Sequence, residues 1–187
     1  MLKSLCVFCG SNRGLKSEYA EAVRSLGSLL AAREIGLVFG GGGVGLMGEL
    51  ADAALDAGGE VIGVLPKSLG LKEIAHPRVE DIRIVGSMHE RKAMMVELSD
   101  GFIAAPGGFG TLDELFEILT WRQLGLHKKP CGLLNVDGYF ASLLGFLDSS
   151  VSKCFVRPEH REMLMVAERP EDLIDQLDSG PSPQSGG

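Results

Sequence analysis

The sequence has 187 residues, enough for one well-buried domain and short for two. Hydrophobic residues make up 45% and charged residues 23%, which excludes disorder or a fibrous repeat as the overall class. A formal net charge of -7, with a pI near 5.1, sets the average surface against phosphate backbones and anionic lipid. No nucleic-acid partner and no membrane partner are therefore expected, while a local site for a small anion stays open.

The stretch Leu2 to Phe8 is apolar but too short to span a membrane, and it runs into Cys9-Gly10-Ser11 without a small-residue cleavage site. A cytosolic, cytoplasmic protein is expected. Of the four cysteines, only Cys6 and Cys9 have a spacing that suits a metal or a redox pair. On a strand, side chains three apart face opposite ways, so these two read as buried strand cysteines and no metal site is expected.

Short apolar runs at Ser4 to Cys9, Gly36 to Phe39, Glu60 to Leu65, Ile82 to Val85, Gly101 to Ala105 and Cys131 to Leu134 read as strands. Segments with apolar positions three and four apart lie between or after them: Glu18 to Arg33, Gly45 to Ala57, Met88 to Leu98, Leu112 to Leu124 and Tyr139 to Val151. These read as helices. A short strand near Met163 to Val166 and a helix from Pro170 to Leu177 complete the series. Regular alternation, with strands apolar on both faces, predicts an α/β, Rossmann-like three-layer fold, a parallel sheet with helices on both faces. Residues 1–178 form a single nucleotide-binding domain in this reading and 179–187 a flexible tail. The connection from Pro66 to Pro77 is the longest of mixed character and reads as a mobile flap.

Open parallel sheets bind ligands at the carboxyl ends of their strands, where helix N-termini offer free N–H groups. Three strand ends here are rich in glycine: Cys9-Gly10-Ser11-Asn12, the run from Gly40 to Gly48, and Pro106-Gly107-Gly108-Phe109-Gly110-Thr111. Phosphate is the natural guest of such loops. Gly40, Gly42 and Gly45 have dinucleotide-fingerprint spacing, but the next strand ends in Leu65-Pro66 and not in the acidic residue that a ribose needs.

Glu114 follows Thr111 by three residues, which is also the spacing of a helix-capping box, and spacing alone favours the cap over catalysis. If it is catalytic, a carboxylate near a helix N-terminus suits a base better than an acid. Ser87 and Glu90 offer a second capping box. Met88, Arg91, Met95 and Leu98 share one helix face, so Arg91 interrupts an apolar stripe and needs an anionic partner. A structural ion pair, a ligand phosphate and the Glu114 carboxylate would each serve. Lys92 divides evenly between solvent and ligand, and His89 and His127 read as surface histidines.

The stretches Ser87-Met88-His89-Glu90-Arg91-Lys92 and Pro106-Gly107-Gly108-x-Gly110-Thr111-x-x-Glu114 resemble the paired motifs of the LOG ("lonely guy") phosphoribohydrolase family. Phe8-Cys9-Gly10-Ser11, the Gly40 to Gly48 loop, Thr120-Trp121 and Gly132 to Tyr139 extend the likeness from Lys3 to about Leu177. It implies a homodimeric enzyme that cleaves an N6-modified AMP with water to the free base (a cytokinin, or adenine) and ribose 5-phosphate. Arg91 and Glu114 match the catalytic pair, Gly108 to Thr111 the phosphate cradle, and Glu73, Lys92 and Thr120 other nucleotide-contacting positions. Gly107, Phe109, Gly110, Leu112 and Asp113 of the same motif, with Gly10, Ser11, Gly42 and Gly43 of the first two loops, complete the predicted substrate-binding set. Members are often labelled lysine decarboxylases, but no residue here identifies a pyridoxal-bearing lysine, and no cofactor is expected. Two alternatives remain: a non-enzymatic molybdenum-cofactor carrier, which needs no Arg–Glu pair, and a broad nucleoside 5′-monophosphate hydrolase, which shares every catalytic residue.

A helical face after Ser87 and Thr111, bearing Met94, Met95, Phe116, Leu119 and Trp121, carries more apolar surface than one sheet face needs. It is the predicted dimer contact.

Overall fold

The computed structural model describes residues 1–69 and 75–180. Strands β1 (Ser4–Phe8), β2 (Gly36–Phe39), β3 (Val61–Pro66), β4 (Asp81–Val85), β5 (Gly101–Ala104), β6 (Cys131–Leu134) and β7 (Leu164–Ala167) form one parallel sheet. Its order is β4-β3-β2-β1-β5-β6-β7. The helices are α1 (Ser17–Ala32), α2 (Gly45–Asp56), α3 (Met88–Glu97), α4 (Phe109–Gln123), α5 (Ala141–Ser152), α6 (Pro158–Arg161) and α7 (Pro170–Ser179). This is the predicted Rossmann-like α/β architecture.

The layers follow from the two-residue period of the strands. Leu5, Val7 and Cys9 join the core under α1, α2 and α7, whereas Cys6 and Phe8 join the core under α3 and α4. All three cysteines in β1 and β6 or beside them (Cys6, Cys9 and Cys131) are buried and unpaired, and Cys6 and Cys9 face opposite layers. Burial raises both of the latter thiols above their ordinary range, so neither is a ready nucleophile. Central β1 pairs with β2 on one side and β5 on the other, with Val7 opposite both Phe39 and Ile103. Chain order reverses at this point, which opens a crevice between the carboxyl ends of β1 and β5.

Most element ends fall within a residue or two of the sequence reading. The chief exception is α4, which starts at Phe109 and not near Thr111, because Phe109 and Gly110 enter the first helical turn with Gly108 as its cap. The four-residue α6 was not foreseen, and α7 runs to Ser179, one residue into the predicted tail. Met95 is core and only 1% exposed, and Met94, Leu119 and Trp121 also pack on that core. They contribute less free surface than the predicted dimer face assumed. His127 is half-buried against Phe102 with its Nε2 2.9 Å from the Ile118 carbonyl, and burial lowers its pKa, so it is not the surface residue expected. His89 is exposed. No helix among the described residues is long and apolar enough to cross a membrane.

The flap expected from Pro66 to Pro77 is tied at both described ends. Pro66 closes β3, and His76 donates its N–H to the Gly41 carbonyl at 2.9 Å beside a Gly42–Ala75 bridge. Glu73 and the rest of 70–74 lie outside the described residues.

Helix packing gives a stability test in which two effects oppose. Alanine is favoured over glycine in a helix by about 1 kcal/mol. A Cβ on Gly27 of α1, however, would overlap the Leu50 carbonyl oxygen of α2, whereas one on Gly145 of α5 meets nothing within 4 Å. Gly27→Ala is expected to lower unfolding stability by about 1–3 kcal/mol because the clash is with backbone. Gly145→Ala is expected to raise it by roughly 0.5–1 kcal/mol. Urea unfolding of the two variants measures the contrast.

Candidate active site

A cleft of about 500 Å³ lies in the crevice between β1 and β5. One wall is Cys9 to Gly14 with Tyr19, the other is Pro106 to Thr111 with Tyr139, and Leu46, Met47, Arg91 and Glu114 complete it. Two of the three glycine-rich loops therefore face each other across the cleft, and they are joined directly by the Gly10 N–H donating to the Pro106 carbonyl at 3.0 Å.

The helices behind these loops differ in what their N-termini bind. At α2 the Leu46 and Met47 N–H groups donate to the Gly10 carbonyl at 3.0 and 3.3 Å, so the fingerprint loop is filled by the protein's own backbone. Gly45, at φ +63°, permits this approach, because a Cβ there would overlap the Ser11 backbone. Gly42 and Gly43 lie beside Ala75, His76 and Pro77 and outside the cleft lining. At α4 the cap is Gly108, which has no side chain to accept from the first turn. The Phe109, Gly110 and Thr111 N–H groups have no intrahelical partner by geometry and border the cleft. They form the free donor nest. Thr111, 3% exposed, packs its hydroxyl where a Cβ of residue 107 would sit, so Gly107 keeps the loop tight against the helix.

The Thr111–Glu114 capping box does not form. Both residues are inside α4, with Glu114 in its second turn, and the carboxylate turns to Arg91. Arg91 Nη1 donates to Glu114 Oε1 at 2.6 Å, and Arg91 Nε donates to the Val64 carbonyl at 3.0 Å. Each residue is 8% exposed, so this is a buried ion pair at the floor of the cleft. Gly40 leaves room for the guanidinium, since a Cβ there would overlap Nη2. The Ser87–Glu90 pair does cap α3, with its return bond one residue early: Glu90 N–H donates to Ser87 Oγ at 3.1 Å and Gly86 N–H to Glu90 Oε2 at 2.8 Å, which sets the start of α3 and hence the reach of Arg91.

Burial raises the Glu114 carboxyl above the ordinary range, and the Arg91 guanidinium opposes that shift. The result is an ionisable group more basic than a surface glutamate. Its Oε1 is held by Arg91, and Oε2 accepts no hydrogen bond among the described residues.

Of the predicted substrate-binding residues, Gly10, Ser11, Arg91, Gly107, Gly108, Phe109, Gly110, Thr111 and Glu114 line the cleft together. Lys92 does not. It is ion-paired with Asp113 at 3.1 Å and Glu117 at 2.5 Å on the outer side of α4. Leu112, Asp113 and Thr120 line a separate shallow depression with Phe109, Phe116, Glu117 and Trp121. Arg13, Tyr19 and Tyr139 are cleft residues to which the sequence reading gave no role. They are distant in sequence from the glycine motif, and only the fold brings them there.

The sequence pattern of a family described as "Possible lysine decarboxylase" matches residues 47–177. The chain is 49% identical over 176 residues to cytokinin riboside 5'-monophosphate phosphoribohydrolase LOG3 of Arabidopsis thaliana, covering 94% of this chain and 82% of that one. The chain belongs to the LOG family. It is also 51% identical to the probable cytokinin riboside 5'-monophosphate phosphoribohydrolase LOGL3 of Oryza sativa subsp. japonica, over 94% of this chain and 83% of that one. Among solved structures, the molybdenum cofactor binding protein of Rippkaea orientalis superposes with a TM-score of 0.71 at 25% identity, covering 96% of this chain and 97% of that one. The molybdenum cofactor carrier protein of Chlamydomonas reinhardtii gives 0.72 at 24%, covering 96% of this chain and all of that one, and shows the fold alone.

Removing one partner of a buried ion pair leaves the other charge uncompensated. Arg91→Met is therefore expected to destabilise the fold by about 3–5 kcal/mol near neutral pH. Loss of the guanidinium lets the folded-state Glu114 carboxyl rise further, so the folded variant binds a proton that the unfolded chain has released. Its deficit against wild type then shrinks as pH falls through that raised range. Urea unfolding at about pH 5 and about pH 8 checks the sign. An equal deficit at both would show that Arg91 and Glu114 are not electrostatically linked.

Proposed function

We propose that this LOG-family protein hydrolyses the N-glycosidic bond of nucleoside 5′-monophosphates, N6-modified AMP among them, to the free base and ribose 5-phosphate. The observation that carries this reading is the buried Arg91–Glu114 pair at the floor of a cleft whose rim is an uncapped glycine-rich helix N-terminus. The two phosphoribohydrolase relatives described above share about half of their residues with this chain. The molybdenum-cofactor proteins share about a quarter, which favours the hydrolase over the carrier.

The nucleotide's phosphate rests on the N–H groups of Gly108 to Thr111, and the ribose lies toward Glu114. Departure of the base leaves positive charge on the sugar, which a nearby carboxylate stabilises. Glu114, held at Oε1 by Arg91, keeps Oε2 for the attacking water and accepts its proton, while the base leaves with the electron pair of the C1′–N bond and takes a proton from solvent. The raised carboxyl suits that task, since a more basic carboxylate takes a proton more readily. Holding the phosphate fixes C1′ against this carboxylate, so binding at one end of the substrate serves chemistry at the other.

A homodimer fits the outer face of α4. Phe109 is 95% exposed and lines both the cleft and the shallow depression with Phe116 and Trp121, so a second copy seated there would abut the cleft. The unpaired cysteines suit a reducing cytosolic setting.

Incubation with AMP, N6-isopentenyl-AMP, adenosine and N6-isopentenyladenosine tests the reading. Release of base and ribose 5-phosphate is expected from the monophosphates, at a kcat/KM at least tenfold or so above that for release of base from the nucleosides. No release from any of them would refute hydrolysis, and equal release from nucleosides would refute the phosphate cradle. Light scattering at micromolar protein is expected to give twice the chain mass, and Phe109→Asp to shift it toward the monomer.

A further inference from the structure

Tyr139 touches the glycine cradle from 32 residues further along the chain. It follows a turn in which Asp137 and Gly138 both take positive φ, 49° and 68°. That turn is held by the Lys16–Asp137 ion pair and by the Phe140 N–H donating to Asn135 Oδ1 at 2.8 Å. The Tyr139 ring then packs edge-on to Tyr19, with centroids 5.4 Å apart, and its hydroxyl donates to the Gly107 carbonyl at 2.6 Å.

The Gly107 carbonyl and the Gly108 N–H belong to one peptide group, and a trans peptide holds the two antiparallel. A peptide between two glycines meets little steric resistance to rotation. Were it to flip, a carbonyl oxygen would stand where the cradle needs a donor, and attraction for an anion would become repulsion. The hydroxyl of Tyr139 is the hydrogen-bond donor that the Gly107 carbonyl has among the described residues. We propose that Tyr139 is a positioning residue whose hydroxyl locks the Gly107–Gly108 peptide, so that the Gly108 N–H joins the first-turn amides of α4 in holding the substrate phosphate. This rests on the phosphate-binding reading of the cleft given above.

Tyr139→Phe keeps the ring and its contacts with Tyr19 and Phe140 and removes only the donor. The test is calorimetric titration of ribose 5-phosphate and of inorganic phosphate into wild type and variant, with ¹⁵N–¹H spectra of Gly108 in the free proteins. The variant is expected to bind both phosphates roughly tenfold more weakly. Its KM for AMP is expected to rise roughly tenfold with the weaker phosphate binding, a larger change than in kcat. The Gly108 amide resonance is expected to move or broaden before any ligand is added. Equal affinity in variant and wild type overturns the proposal. So does weakened affinity with an unmoved Gly108 amide, which would assign the hydroxyl to direct phosphate contact. Failure of the wild type to bind either phosphate would instead overturn the cradle itself, and this proposal with it.

Discussion

A carboxylate taken out of water beside a guanidinium must be matched closely or the fold loses several kcal/mol, and in this chain that requirement organises the end of the sheet. Arg91 reaches Glu114 because α3 starts where the Ser87–Glu90 pair caps it. Its Nε is satisfied by the Val64 carbonyl, and Gly40 leaves space for the rest of the guanidinium. Glu114 is presented from the second turn of α4, because that helix begins early, at Phe109. Strand β3, the end of β2 and two helices thus converge on one pair of charges, which sits where chain order reverses between β1 and β5.

The same constraint explains the different fates of the glycine loops. The loop after β2 has the spacing of a dinucleotide site, yet its helix is capped by a carbonyl from the loop after β1. That contact closes one anion site and builds a wall of another. The loop after β5 keeps its donors free, with Thr111 seated against Gly107 and the carboxylate one turn behind. An anion bound at this helix end and a positive charge developing on a sugar near Glu114 are complementary demands, and the site separates them along one substrate. Burial serves the second demand, since it raises the basicity of the Glu114 carboxyl.

The fold was legible because a parallel sheet buries both faces of its strands, so that short apolar runs separated by helical periodicity leave few alternatives. Arg91 was legible as a cation in an apolar stripe, and Glu114 supplied its anion. The role of the Thr111–Glu114 spacing was not, because a capping box and a helix that begins three residues earlier share the same letters. Only the wrapping of Phe109 and Gly110 into the first turn, with Gly108 as its cap, decides between them. The loss of Gly42 and Gly43 from the cleft was hidden for a related reason: Gly42 bridges to Ala75 and Gly43 lies against His76, contacts that no local pattern encodes. Arg13 and Tyr139 adjoin stretches that the sequence singles out, the loop after β1 and Gly132 to Tyr139, but only the fold of β1, α1 and the turn before α5 brings them and Tyr19 to the cleft.

The central claim is that Glu114 acts on water and not merely as a structural partner of Arg91. Its most direct test is Glu114→Gln, which keeps the shape and a hydrogen-bond acceptor for Arg91 but cannot take a proton or offset charge on ribose. Calorimetry and turnover on one preparation should show AMP binding within a few-fold of wild type and base release slowed by a factor on the order of 100 or more. A folded variant that binds AMP and releases base at the wild-type rate would contradict the account.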